Sequence, residues 1–314
     1  MLLFFGYDFA LKVVIDEKVG LNSFNWLFFY IHSVSIYMEF ETYGRVSIGV
    51  IKSDRRAIVI DSGIDENDIR KVLNKLNEEG YTVDGVYLTH SHSDHSGGAF
   101  FAVKRGINVY SSRIEADLIM NPSILNVMIS GFYNYEFARS KFVTPERSKI
   151  LYVENQVNFG NESVKVIDLK GHTLGQVGYQ ADEIMFAGDS LFSIETLEKH
   201  PIPYVLDVPM YLQTLERLKS FTGKIIVSHM GLLEDNLKTI NFNIDRIKEI
   251  KDVFWDISSN GRTIDEVIRA ILNRFNSNRH VLNYFLDATT IKSIIFSYGI
   301  ISYRDGTLMV EPKR

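Results

Sequence analysis

The chain has no cysteine. Disulfides and thiolate metal ligands are therefore excluded, and any metal must be held by histidine and carboxylate. The missing cysteines leave the compartment open. The most apolar stretch near the start, "WLFFYIHSVSIYM" (26–38), is too short, and too polar in its second half, to span a bilayer. The opening "MLLFFGYDFALKVVIDEKVG" lacks the basic leader and small-residue cleavage site of a secretory signal. A cytoplasmic address, away from membranes, is the expectation. There is no internal repeat, no low-complexity tract and no long basic run. A net charge of −5 does not suggest a general nucleic-acid binder.

What is present is ordinary in bulk and unusual in one place. The 314 residues are 46% hydrophobic and 23% charged, which suits a soluble globular protein with one large domain or a main domain and a small appendage. Met38 is followed at once by "EFETYGRVSIGVIKSDRRAIVIDSG", which reads as the opening of a domain. Residues 1–37 are thus expected to be an extension, either a non-native start or a loosely attached segment. A main domain is expected over 38–257 and a small module over 258–314. That last stretch is basic: residues 261–314 hold eight Lys/Arg against five Asp/Glu, in a chain that is negative overall.

Within the main domain, "RVSIGVI" and "RAIVIDSG" are β-branched runs separated by "KSDR" and read as a hairpin. Apolar residues at helical spacing predict a helix over 64–79, closed by Gly80. Strands are predicted at 84–89, 106–112, 149–153, 163–169, 177–180, 183–188 and 224–229. Helices are predicted over 98–104, 209–219 and 232–257, with Ile240, Ile244, Ile247 and Ile250 on the inner face of the last. Residues 113–148 are aromatic-rich without a clean period and read as an irregular helical insertion that walls a cleft, makes an oligomer surface or simply packs in the core. In the tail, Thr263 and Glu266 form a capping-box pattern, "DATTIKSIIFSYG" predicts a second helix, and Asp305-Gly306 marks a hairpin turn. Helix, helix and two-stranded wing give the outline of a winged helix.

The unusual place is "YLTHSHSDHSGG" (87–98), which gathers His90, His92, Asp94 and His95 directly after a predicted strand. Neutral imidazole binds zinc and other divalent first-row metals well. Side chains at i and i+2 of a looping segment can converge on one ion, and Asp94 and His95 would face a second beside it. Three more candidates stand at strand ends: His172 in "DLKGHTLGQ", Asp189 in "MFAGDS" and His229 in "IIVSHMG". Each alone reads equally well as a core histidine, a cap or a turn aspartate. Together with the cluster they supply three ligands for each of two ions and a carboxylate between them. His32, His200 and His280 have no such context and read as structural or solvated, although His200 in "EKHPIPY" could face a cleft.

H-x-H-x-D-H, then G-H-T, G-D and S-H, in that order, resembles the metallo-β-lactamase superfamily over about residues 38–257. "IVIDSG", with Asp61, is similar to its opening signature. The resemblance implies an α+β fold, a four-layer αββα sandwich with a dinuclear metal site on one edge. By it, His90, His92 and His172 would bind one ion, Asp94, His95 and His229 the other, and Asp189 would bridge them. Asp61 would be buried beside the ligands in a supporting role. Two divalent ions, zinc foremost with iron or manganese as alternatives, make hydroxide available near neutral pH for attack on an ester, thioester, amide or phosphoester. Asp94 is placed to orient that nucleophile. Asp189 and the lack of cysteine argue against antibiotic hydrolysis and toward the glyoxalase II branch, whose substrates are small thioesters. The basic residues that grip glutathione there have no recognisable counterpart here. The resemblance leaves three further readings: a single-strand endoribonuclease using the basic tail, a persulfide dioxygenase with a single iron, and a non-enzymatic metal-stabilised regulator. The tail would otherwise pack on the main domain or form a homo-oligomer contact.

Overall fold

The strand "RAIVI" has no polar face, a pattern that suits a strand covered on both sides. The computed structural model, which describes residues 37–43, 46–159, 162–277 and 280–313, covers it so. A first sheet contains β1 (Tyr37–Tyr43), β2 (Val46–Ser53), β3 (Arg56–Ile60), β4 (Thr82–Tyr87), β5 (Val109–Ser111) and β6 (Leu151–Tyr152), in that spatial order. Its first three strands form an antiparallel meander and β3 to β6 run parallel. A second sheet contains β7 (Gln156–Phe159), β8 (Glu162–Asp168), β9 (Val177–Ala181), β10 (Ile184–Phe186), β11 (Lys224–Val227) and β12 (Gly231–Leu232), antiparallel except for the β10–β11 pair. A third, small sheet holds β13 (Arg262–Thr263), β14 (Gly299–Arg304) and β15 (Thr307–Pro312), with β15 in the middle.

Side-chain alternation assigns each face. Ile58 and Ile60 of β3 enter the layer between the two large sheets, against Val164, Tyr179, Phe186 and Ile226 of the second. Their neighbours Ala57 and Val59 point the other way, into helices α1 (Glu66–Glu78), α2 (Ser93–Ser96), α3 (Ala99–Lys104) and α4 (Arg113–Met120), where they meet Ile69, Val72, Ala99, Ala102 and Ala116. Short helices α5 (Ser123–Ser130), α6 (Tyr135–Ala138) and α7 (Ile194–Lys199) follow. The outer face of the second sheet, with Met185, Ile225 and Val227, is covered by α8 (Val208–Leu218), α9 (Asn236–Ser258), α10 (Ile264–Arg274) and α11 (Val281–Tyr298). The result is helix, sheet, sheet, helix, the αββα sandwich that the resemblance implied. Among the described residues no helix is long and apolar enough to cross a membrane.

The helices stand where their caps place them. Asp65 caps α1 by accepting from the Asn67 N–H, Asp207 caps α8 and Asp235 caps α9. Thr263 and Glu266 make both bonds of the capping box at α10, a contribution of about 1 kcal/mol. Ile240, Ile244, Ile247 and Ile250 of α9 are all buried. The stretch after α9 shares one core with the rest of the outer layer: Val267, Ile271, Ile291, Ile294 and Val310 pack with Leu215, Ile244 and Ile247. Asp305 and Gly306, with φ of 47° and 78°, close the β14–β15 turn.

Some elements differ from the sequence expectation. Helix α11 starts at Val281, six residues before Asp287, because its exposed Val281 and Tyr284 make the pattern apolar on several sides and blur the period. Helix α9 begins at Asn236, since Gly231 and Leu232 are taken up by β12. β1, β7 and α7 had no expectation. The insertion over 113–148 is helical as read, comprising α4, α5 and α6. The expectation for residues 1–37 lies outside the described residues, save that Tyr37 opens β1.

Candidate metal centre

Parallel strands end at one edge, and that is what brings the candidate residues together. β3 delivers Asp61 and its parallel neighbour β4 delivers the segment Thr89 to His95. β10 delivers Asp189 and its parallel neighbour β11 delivers His229. The loop from β8 to β9 brings His172 to the same edge. Gly188 lets the two sheets approach there: with φ of 59°, it sits where a Cβ would lie 2.9 Å from the Thr89 side chain.

Seven side chains converge. His92 Nδ1 lies 3.0 Å from both His90 Nε2 and His172 Nε2. Asp189 Oδ2 lies 3.1 Å from His229 Nε2, 3.5 Å from His95 Nε2 and 3.7 Å from His172 Nε2. Asp94 reaches His229 Nε2 at 3.5 Å and His95 Nε2 at 3.8 Å. Two groups result, His90, His92 and His172, and Asp94, His95 and His229, and a third, His90, His95 and Asp189, links them. A tetrahedral ion with ligands at about 2.1 Å has ligand–ligand edges of about 3.4 Å, so both groups have the right span.

The hydrogen bonds behind the rings settle which nitrogens face inward. A carboxylate only accepts, so the Thr89 hydroxyl, 2.9 and 3.0 Å from the two Asp61 oxygens, donates to Asp61. His90 Nδ1, 3.0 Å from that hydroxyl, must then donate to it, leaving the Nε2 lone pair free. His95 Nδ1 donates to Asp61 Oδ2 at 2.8 Å, and His172 Nδ1 donates to the Tyr204 carbonyl at 2.8 Å. Three rings therefore carry a proton on Nδ1 and aim Nε2 at the centre. His92 Nδ1 could carry one proton, which serves one neighbour and not both. His95 Nε2 is buried without a hydrogen-bond partner. These observations fit a divalent cation in each group.

Electrostatics distinguishes the groups. Burial holds His90 well below the ordinary imidazole range, helped by the neighbouring His95 and His92. It takes His172 down to about 3 and lowers His92. Burial also opposes charge on His95, but Asp189, Asp94 and Asp61 outweigh it and hold the ring well above the usual value. His229 rises to about 9 because Asp189 overcomes its burial. Asp189 is itself buried, yet His229 and His95 keep it well below the carboxylate range. Burial raises Asp61, against the pull of His95 and Thr89. Asp61 has φ of 64°, a left-handed conformation that an aspartate tolerates and that functional sites often hold.

Of the other histidines, His200 ends α7 and is exposed, and His280 caps α11. His32 lies outside the described residues. Sequence reading missed Thr89, Tyr204 and Glu115. Tyr204 packs its ring 5.1 Å from His92 and 5.3 Å from His172. Thr89 could have been found from its place between the strand and His90, while Tyr204 and Glu115 carry no local signal.

The chain belongs to the metallo-beta-lactamase superfamily, whose family profile matches residues 42–229. Among curated proteins it is similar to the hydroxyacylglutathione hydrolase of Vibrio campbellii, 30% identical over 141 residues, which is 45% of this chain and 44% of that protein. It is also similar to the hydroxyacylglutathione hydrolase of Shewanella oneidensis, 31% identical over 137 residues, 41% of this chain and 43% of that protein. The matched region thus spans less than half the length of these relatives. Two solved structures share the fold along most of the chain. One is a metallo-beta-lactamase family protein from Thermus thermophilus, with TM-score 0.64 at 15% identity, covering 88% of this chain and 98% of that one. The other is a beta-lactamase domain protein from Burkholderia ambifaria, with TM-score 0.63 at 16% identity, covering 91% and 93%.

Proposed function

We propose that the protein is a dinuclear metallohydrolase acting on a small ester or thioester. The observation that carries this is the pair of ligand groups on either side of Asp189, the ligand atoms of each lying within 4.8 Å of one another. His90, His92 and His172 would hold one divalent ion and Asp94, His95 and His229 the other, with Asp189 placed to serve both. Zinc suits these ligands, as do iron and manganese. Two such cations supply Lewis acidity and make hydroxide available near neutral pH.

The chain's own residues do the rest. Asp94 and His229 are the open side of the centre, with side chains 33% and 26% exposed, whereas the side chains of His95 and Asp189 are buried. Substrate and water therefore arrive at Asp94, whose carboxylate orients the attacking water and accepts its proton. Tyr204 and Phe192, the latter 5.7 Å from His172, wall the other side with apolar surface. They exclude water and so strengthen every charge interaction within.

The thioester preference draws on the similarity to hydroxyacylglutathione hydrolases; glutathione itself is not part of the proposal. The test is metal analysis of the full chain together with hydrolysis of a thioester, a phosphodiester and single-stranded RNA. Two zinc ions and thioester turnover that Asp94→Ala abolishes are expected. Two bound ions without hydrolysis of any of the three would overturn the reading.

A further inference from the structure

A carboxylate outside the ligand set reaches both sheets. Glu115, in the first turn of α4, is fully buried. Its Oε2 accepts from the Ser91 N–H at 2.9 Å and its Oε1 accepts from the Gly175 N–H at 2.7 Å. Ser91 lies between His90 and His92, on the loop that leaves the first sheet. Gly175 lies three residues after His172, on the loop of the second sheet. A backbone bond from the Val177 N–H to the Thr89 carbonyl, 3.0 Å, joins the same segments nearer their strands.

We infer that Glu115 is a positioning residue, a clamp that sets the spacing of the three-histidine group by tying together the two loops that supply it. Two converging backbone donors need two acceptors on one side chain. The carboxylate meets each with its own oxygen, whereas a glutamine in the same pose would turn its NH₂ toward one of the two N–H groups. Burying a carboxylate is costly, so its presence here answers a demand that a neutral side chain could not meet. The fit is close. A Cβ on Gly175 would lie 2.7 Å from Ser112 Oγ and 3.1 Å from Glu115 Oε1, so only glycine lets this loop sit against the clamp. Asp94 and His95 share the loop of Ser91, but the second-sheet member of their group, His229, follows β11 and is not tied to Glu115, so the clamp does not set the distance between the two sides of that group.

The inference rests on the metal reading above, and the test separates the two. Zinc is titrated into the full chain in competition with a chromophoric chelator, while the imidazole ¹⁵N resonances of His90, His92 and His172 are followed. Wild type takes up two ions. In Glu115→Gln one ion binds about 10–100-fold more weakly, the usual effect of losing a group that supports a ligand. The three-histidine resonances move with it, the other ion keeps its affinity, and amide exchange at Ser91 or Gly175 quickens. Gly175→Ala, which leaves the charge intact, gives the same selective loss. If Glu115→Gln folds poorly, Gly175→Ala alone decides. Wild-type affinity for both ions in both variants would overturn the clamp and leave the metal reading standing, as would a parallel loss of both ions with lowered thermal stability. No zinc in the wild type would overturn the metal reading itself.

Discussion

The two ligand groups differ in almost everything except their shared aspartate. Both draw on both sheets, but the three-histidine group is short of carboxylate and keeps its rings neutral through burial. The second group is richer in carboxylate, opens to solvent and holds its histidines above their ordinary range. Carboxylates there favour a proton on His95 and His229, whereas burial favours neutral rings in the first group. One site is therefore shaped chiefly by packing and the other chiefly by charge.

That contrast can be broken at its common element first. Asp189→Ala removes the carboxylate that lies within 3.7 Å of His172 and 3.1 Å of His229; if it serves both groups, hydrolysis should fall on the order of 10³-fold or more, since metal stabilisation of a transition state is worth several kcal/mol. Full activity in that variant, measured as kcat/KM, would show that the groups do not share it. Asp61→Asn acts on the groups unequally. It changes the acceptor of His95 Nδ1–H directly and reaches His90 only through Thr89, so it should weaken one ion by about 10–100-fold, read by chelator competition, while the His172 resonance stays in place.

Acid sharpens the difference further. His229 is protonated in the metal-free protein below about 9, and His95 is held above its usual value as well. A cation entering there must displace those protons, so its affinity falls as the pH drops from 9 toward neutrality. His172, with a value of about 3, is already neutral over that range and has no proton to release. Calorimetry in buffers of different ionisation enthalpy should thus register proton release for one ion and none for the other. The smallest effect is expected from the tail. Thr290→Val leaves the Val205 N–H and the Pro203 carbonyl unpaired; thermal unfolding should report a loss of about 1–3 kcal/mol with both ions still bound.

How much of this was legible in the sequence depended on distance along the chain. The metal-binding candidates stood out because His90, His92, Asp94 and His95 lie within six residues and each remaining candidate ends a strand. The hairpin of β2 and β3, the capping box at Thr263 and the Asp305-Gly306 turn are likewise local. β7 alternates exposed Gln156 and Asn158 with buried Val157 and Phe159, a period of two that four residues were too few to announce. What no window could reveal are the partners brought together by folding. Thr89 with Asp61 spans 28 positions, Glu115 with Gly175 spans 60, and His172 meets His92 across 80. These groups have no special spacing, and only the closing of two sheets gives them their role.

Thr290 of α11 donates to the Pro203 carbonyl at 2.6 Å and accepts from the Val205 N–H at 2.8 Å. It thereby holds the backbone on both sides of Tyr204, whose carbonyl fixes the His172 ring. The tail is thus joined to the metal centre by a relay of three hydrogen-bonded contacts. It cannot be exchanged as an independent cassette: a chimaera carrying another protein's C-terminus would inherit an altered His172 unless positions 203–205 and 290 were transplanted together.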